Sequence, residues 1–307
     1  MLEDAPRTER ATESMDVDAF IRQCWSDHAS DAGAVADRLA SSFAVIETPD
    51  HLARFAGLLT HVYGEHLGEW NAGVVELEKL DKSWGTISGS PAGRPIQVGI
   101  ATLRYCAGEG TAVNGLSIED RAAALANASS ALAGRNDATR AIEAYDQALR
   151  AVQSETCVDA RALKALAAGG NNLAVALEGL ENRSASETQA MLRAAEAALR
   201  YWKQAGTWVE EQIACYRLAR SQLQAGQSAA AVRSAERCLQ ICETHVAPAL
   251  DQFFAHAVVA FAQRAACNMT SFEAHKSAAL SYLQTLSDDD KASCESDRSE
   301  LDGFSGA

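Results

Sequence analysis

The chain has 307 residues, a formal charge of −14 and 48% hydrophobic residues. Its hydrophobic share is that of a folded soluble protein, and its acidity argues against general affinity for nucleic acid or anionic membrane, because phosphate binding needs a basic face that releases counterions. No apolar stretch approaches the length needed to span a bilayer, and residues 1–6 carry acids and lack the apolar core of a signal peptide, so the expected location is the cytoplasm.

The length leaves room for two average domains or for one continuous stack of helix pairs. Eight cysteines occur without a CxxC pair, which signals neither a zinc knuckle nor a disulfide framework. They read as small buried hydrophobes, including Cys238 and Cys242, four apart on one helix.

In chain order, residues 1–15 are polar and unpatterned and are expected to be disordered. An apolar stripe of Phe20, Ile21 and Trp25 begins near Val17, and a second runs from Ala34 through Leu39 and Phe43 to Ile46, so the two form an opening hairpin. Thr48-Pro49 starts a helix that reaches about His66, because the hydroxyl caps the first turn and the missing proline N–H costs nothing there. Its partner runs from Gly68 to about Lys82 with Gly73, Leu77 and Leu80 on its inner face. Residues 83–95, with Trp84 and several Gly, Ser and Pro, read as a loop or break and lack the GxxxxGK(S/T) order of a phosphate loop. A helix from Ile96 to about Cys106 ends at Gly108 and Gly110, where two halves of the chain meet.

Helix-start signals then accumulate: Ser117 with Asp120, Thr156 with Asp159, Ser184 with Glu187, Thr207 with Glu210, and Thr270 with Glu273. In each, a hydroxyl and a carboxylate three residues on can satisfy amides that the helix cannot pair itself. Helix pairs follow with first-helix registers near Ala122, Ala167, Gln212 and Ala255. The first pair carries Leu125, Ala128 and Leu132, then Ala141, Tyr145 and Ala148. The second carries Leu173, Ala174 and Leu177, then, past an extra loop near Asn182, Met191, Ala195 and Ala198. The third is the clearest, with Ile213, Cys215, Leu218 and Ala219, a break at Gly226, then Ala231, Ala235, Cys238 and Leu239. The fourth carries Phe261 and Ala262, then Ala274 and Ala278. From Ser287 a short helix with Cys294, Leu301 and Phe304 is placed to cap the stack, since a terminal repeat has no neighbour to cover it.

Small and large apolar residues in this order on paired helices resemble the tetratricopeptide repeat (TPR), although the spacing of about 45 residues exceeds the standard 34. The resemblance implies an all-α fold, a right-handed α-solenoid of antiparallel helix pairs. Residues 16–115 are then weakly TPR-like hairpins, 116–287 the TPR-like repeats, and 288–307 a capping helix and tail. It also implies a concave groove lined by the first helices, where an asparagine at the sixth position can hold a peptide backbone. That position falls on Asn127, Asn172 and Arg217, with Asn171, Tyr216, Arg220, His256 and Gln263 expected on the same surface. The plain alternative is that these are solvated polar residues on exposed helix faces. Tyr201, Trp202, Trp208 and Tyr216 gather where the second and third pairs meet, either as core filling or as binding anchors.

Arg217 and Arg220 lie three apart on one helix face and form a positive island in an acidic chain. A guanidinium fork suits a carboxylate, so the expected partner is a protein or peptide with an acidic stretch or a free C-terminal carboxylate. Pairing of both arginines with Glu210, Glu211 or Glu236 is the alternative. The expected function is a non-enzymatic adaptor or scaffold without cofactor, and the second reading is a sensor whose groove takes a short signalling peptide or small molecule. No GxSxG motif, paired-carboxylate arrangement or recognisable Cys/His pair points to an enzyme. In the stretch from His61 to His66, His61 and Glu65 share a helix face, while an α-helix turns His66 about 100° away from Glu65. The order matches neither HExxH nor HxxEH, so no metal site is expected there.

Overall fold

The computed structural model describes residues 16–85 and 92–303, and everything regular in them is helical. The expectations for residues 1–15, for 86–91 within the break and for Phe304 lie outside the described residues. Two compact units divide the chain after residue 100.

In the first unit, α1 (Val17–Asp27), α2 (Ala32–Ala40) and α3 (Pro49–His61) each begin where a side chain accepts a backbone N–H three residues on, from Asp16, Asp31 and Thr48. A 3₁₀ turn, Phe43–Val45, lies between α2 and α3. Beyond His61 the chain continues as a π-helical turn, Val62–Leu67, closed by Gly68 at φ 70°. Then come α4 (Trp70–Trp84) and α5 (Arg94–Cys106), so Pro95 falls inside a helix and not in the break. A first-turn proline loses no hydrogen bond, which is why the helix can start before it. Ile21, Leu39, Leu52, Phe55, Leu58, Leu59 and Leu77 are sealed from solvent and form the core.

The second unit is a series of hairpins: α6 (Ile118–Gly134) with α7 (Ala138–Val152), α8 (Ala160–Glu178) with α9 (Ala185–Ala205), α10 (Trp208–Gln224) with α11 (Ser228–Thr244), and α12 (Ala249–Ala265) with α13 (Met269–Gln284). The first helix of each pair also packs on the first helix of the next, α6 on α8, α8 on α10 and α10 on α12. Two short helices close the chain, α14 (Asp288–Ser293) and α15 (Glu295–Asp302).

Three of the hairpins turn in the same way. Asn136, Gly226 and Cys267 adopt φ of 61°, 71° and 60°, and the next N–H bonds back five residues, from Asp137 to Leu132, Gln227 to Gln222 and Asn268 to Gln263. This is a helix C-cap that favours glycine, yet only one of the three is glycine, so only one was visible as a turn signal. Ser117, Ser184 and Thr207 cap α6, α9 and α10 as expected. Thr156 and Thr270 do not cap. Asp159 takes the Ala162 N–H and Asn268 takes the Ser271 N–H instead, because each is itself a good cap placed directly before its helix.

Alanine and glycine let these helices approach closely. A Cβ on Gly169 would lie 2.8 Å from the Ala126 carbonyl oxygen, and one on Gly170 would lie 2.6 Å from that of Ala194 and strike the Tyr145 hydroxyl. That hydroxyl donates to the Leu166 carbonyl at 2.7 Å, tying α7 to α8. On α10 and α11, Cys215, Leu218, Ala219, Ala231, Ala235, Cys238 and Leu239 are buried, but Ile213 is 44% exposed. Ile213 precedes Leu218 by five residues, about 140° around an α-helix, and so falls off the buried stripe. All eight cysteines are free thiols; Cys157 and Cys267 are exposed and the others buried.

Candidate binding face on the repeat unit

Tyr216, Arg217 and Arg220 stand on α10 between α8 and α12, and each meets an acid from a distant part of the chain. The Arg217 guanidinium donates to Glu178 Oε2 at 2.5 Å, while the Ser221 hydroxyl donates to Glu178 Oε1 at 2.6 Å. Arg220 donates to Glu300 Oε2 at 2.8 Å, and Arg264 from α12 donates to the other oxygen of that carboxylate at 3.4 Å. The Tyr216 hydroxyl donates to Asp297 Oδ2 at 2.6 Å. Neither arginine therefore uses Glu210, Glu211 or Glu236; the partners lie 39 and 80 residues away in sequence.

Glu300 and Asp297 both belong to α15, so the acidic C-terminal helix is seated against the first helices of the third and fourth pairs. Its apolar side explains the seating. Cys294 and Leu301 are fully buried with Phe253, Ala257, Ala260 and Phe261 of α12 and Phe272 of α13. Arg220 lies 4.8 Å over the Phe261 ring, so its charge rests on an aromatic face at the edge of this contact. Desolvation raises the pKa of Asp297, and the Tyr216 hydrogen bond only partly offsets it. Burial and the Asp297 charge likewise hold Tyr216 well above its ordinary value.

Of the other residues expected on one surface, Gln263 and His256 make their contacts elsewhere. Asn127 and Asn171 are half-buried on α6 and α8; the Asn171 Oδ1 is buried without a hydrogen-bond partner among the described residues. Asn172 donates to the Ser130 hydroxyl at 3.3 Å, linking α8 to α6. Gln263 is buried, donating to Glu236 and accepting from Asn268, so it holds the end of the fourth hairpin and does not line a groove. His256 faces α13: its Nδ1 lies 2.9 Å from that of His275, and its ring stacks on Tyr282. Burial first, and then the His275 charge, push its pKa down to about 4.

Among the four aromatics, Tyr201 is buried and accepts from Arg200. Trp208 stacks on His245 with centroids 4.9 Å apart. A cleft of about 570 Å³ opens between α7 and α9, lined by Asp146, Arg150, Arg193, Arg200 and Tyr201. It opens to solvent.

Residues 118–284 are a stack of TPR-like helix hairpins. No family model matches the chain, and no curated protein matches it. Among solved structures, a kinesin light chain-like protein of Podosopora anserina with nearly identical TPR-like repeats is similar at 15% identity and a TM-score of 0.46, over 77% of this chain and 97% of that one. A Signal Transduction ATPase with Numerous Domains from Pyrococcus horikoshii, which carries a tetratricopeptide repeat sensor, is similar at 11% identity and a TM-score of 0.48, over 83% of this chain and 40% of that one. No helix is long and apolar enough to cross a membrane among the described residues.

Proposed function

We propose that the TPR-like unit is a protein-interaction scaffold and that the face formed by Tyr216, Arg220 and Arg264 receives an acidic helical segment. One observation supports this reading above the others: the chain's own α15 lies against that face through Asp297, Glu300 and Leu301. An apolar anchor beside two paired acids is the chemistry by which a partner helix would be selected, with the anchor supplying affinity and the charges register. The raised pKa of Asp297 means that α15 docks with an unfavourably desolvated carboxylate. A docked segment carrying such a cost is one that a better-matched partner can displace.

The test uses the full chain with Leu301→Asp, which removes the anchor and frees the face, and a labelled peptide spanning residues 286–303 added in trans. The peptide should bind this variant, bind wild type more weakly because α15 competes, and lose affinity as salt rises. Adding Arg220→Ala and Arg264→Ala should abolish binding. A peptide that ignores the freed face, or that binds equally without the two arginines, would reject the acidic-helix receptor.

A further inference from the structure

The first unit gathers three imidazoles that the α-helical reading keeps apart. In an α-helix His61 and His66, five residues apart, sit about 140° around the axis from each other. The π-helical turn Val62–Leu67 bonds residues five apart, which brings the two rings together edge to face: their Nε2 atoms are 3.1 Å apart. The carbonyl of Gly64 within the turn accepts the Trp70 indole N–H at 3.2 Å, a side-chain hydrogen bond onto the turn. His28, at the C-terminal end of α1, completes the group, its ring centroid 5.0 Å from that of His61 and 4.8 Å from that of His66. One ring nitrogen from each of the three lies within 4.8 Å of the others.

The second ring nitrogens show which atoms are offered. His28 Nδ1 sits 2.5 Å from the Trp25 carbonyl oxygen, which can only accept, so Nδ1 carries the proton and Nε2 keeps its lone pair. His61 Nδ1 lies 3.2 Å from Glu65 Oε2, a buried carboxylate oxygen without a well-aligned hydrogen bond, so the same tautomer is favoured there. Trp25 packs against both rings, with centroids 5.2 Å from His28 and 5.1 Å from His61. This is the outer arrangement that orients metal-bound histidines: one nitrogen held by a carbonyl or carboxylate, the other presented as a ligand. A proton on His66 Nε2 could satisfy one of the two lone pairs. A cation satisfies both and engages His66 as well. Two imidazole nitrogens on one tetrahedral zinc, at 2.0–2.1 Å each, stand about 3.3 Å apart, close to the separation found between His61 and His66.

We propose that His28, His61 and His66 bind one divalent cation of the zinc class through three imidazole nitrogens, with Glu65 and the Trp25 carbonyl orienting the rings and a fourth position left to water. Such a site joins the end of α1 to the end of α3, two helices 33 residues apart at His28 and His61, and is independent of the binding face on the repeat unit.

Zinc titration by calorimetry on the tag-free, reduced full chain tests this. One equivalent should bind to wild type, to His51→Ala and to the Cys157→Ser, Cys267→Ser variant, which removes the exposed thiols. The His61→Ala, His66→Ala variant should lose the site, and Glu65→Gln should weaken it about 10- to 100-fold. Circular dichroism checks that the metal-free variants fold; if the double histidine variant does not, the visible spectrum of cobalt-loaded wild type decides, through tetrahedral bands without thiolate charge transfer. Absence of stoichiometric binding, retention of binding without the histidines, or a thiolate signature would each overturn the proposal.

Discussion

Helix α10 and the turn after α3 both concentrate polar side chains, and they resolve the concentration in opposite ways. On α10 the grouped donors meet acids: the neutral Tyr216 hydroxyl donates to Asp297, Arg217 pairs with Glu178 and Arg220 with Glu300. Around Val62–Leu67 three imidazoles face one another, with Glu65 behind one of them. Complementary groups can be completed within the chain, which leaves displacement as the route to a partner. Alike groups with converging lone pairs are completed from outside, by a cation.

The largest expected effect tests the regular packing that presents the α10 face. Leu218 is 7% exposed, and Leu218→Asp places an unpaired charge between hairpins at a cost of about 3–5 kcal/mol, comparable to breaking a buried ion pair. Thermal unfolding should show a large fall in Tm; an unchanged Tm would mean that Leu218 does not carry the hairpin contact.

A second histidine group sharpens the contrast, because His256 and His275 form a pair where the first unit has three. Burial lowers the pKa of both, His256 to about 4, while Glu243 and Glu236 partly offset the shift at His275. A folded-state pKa below the unfolded value means that the native state favours the neutral ring. The contribution of His256 is therefore complete above pH 6.5 and is lost as pH falls from 6.5 toward about 4. Discounted for the partial exposure of His256, the loss should be about 2 kcal/mol. His256→Gln should flatten Tm against pH in that window, and an unaltered slope would place the acid sensitivity elsewhere.

The smallest effect concerns the docked helix. Asp297→Asn keeps an oxygen for the Tyr216 hydroxyl and removes the desolvated charge, so α15 should dock more firmly, by about 1 kcal/mol. Hydrogen exchange should slow in α15, and the peptide spanning residues 286–303 should compete less well. Faster exchange would show that the charge of Asp297 holds the helix in place.

The helix pairs from Ser117 onward were legible because their signals are local. Caps such as Ser184 with Glu187 and a 3.6-residue stripe such as Leu218, Ala219 and Cys215 are set by neighbours within one or two turns. The candidate face was legible only in part. Arg217 and Arg220 stood out by their spacing, but the acids that meet them are far away in the chain, and no periodicity specifies which turn of α15 will oppose which turn of α10. Gln263 and His256 were misplaced for a related reason: a polar residue on a helix carries no sign of which neighbouring helix will cover it.

By itself the sequence determined that this chain is helical, that its helices come in pairs with small residues at their crossings, and where most of them start, since those properties follow from backbone capping and side-chain period. Tertiary structure decided that His28 meets His61 and His66, because the packing of α1 near the end of α3 brings together rings 33 or more residues apart in sequence. It also decided that Glu300 and Asp297 close over α10, because the burial of Leu301 and Cys294 against α12 and α13 selects that position for α15 from among all the surfaces its acids could reach.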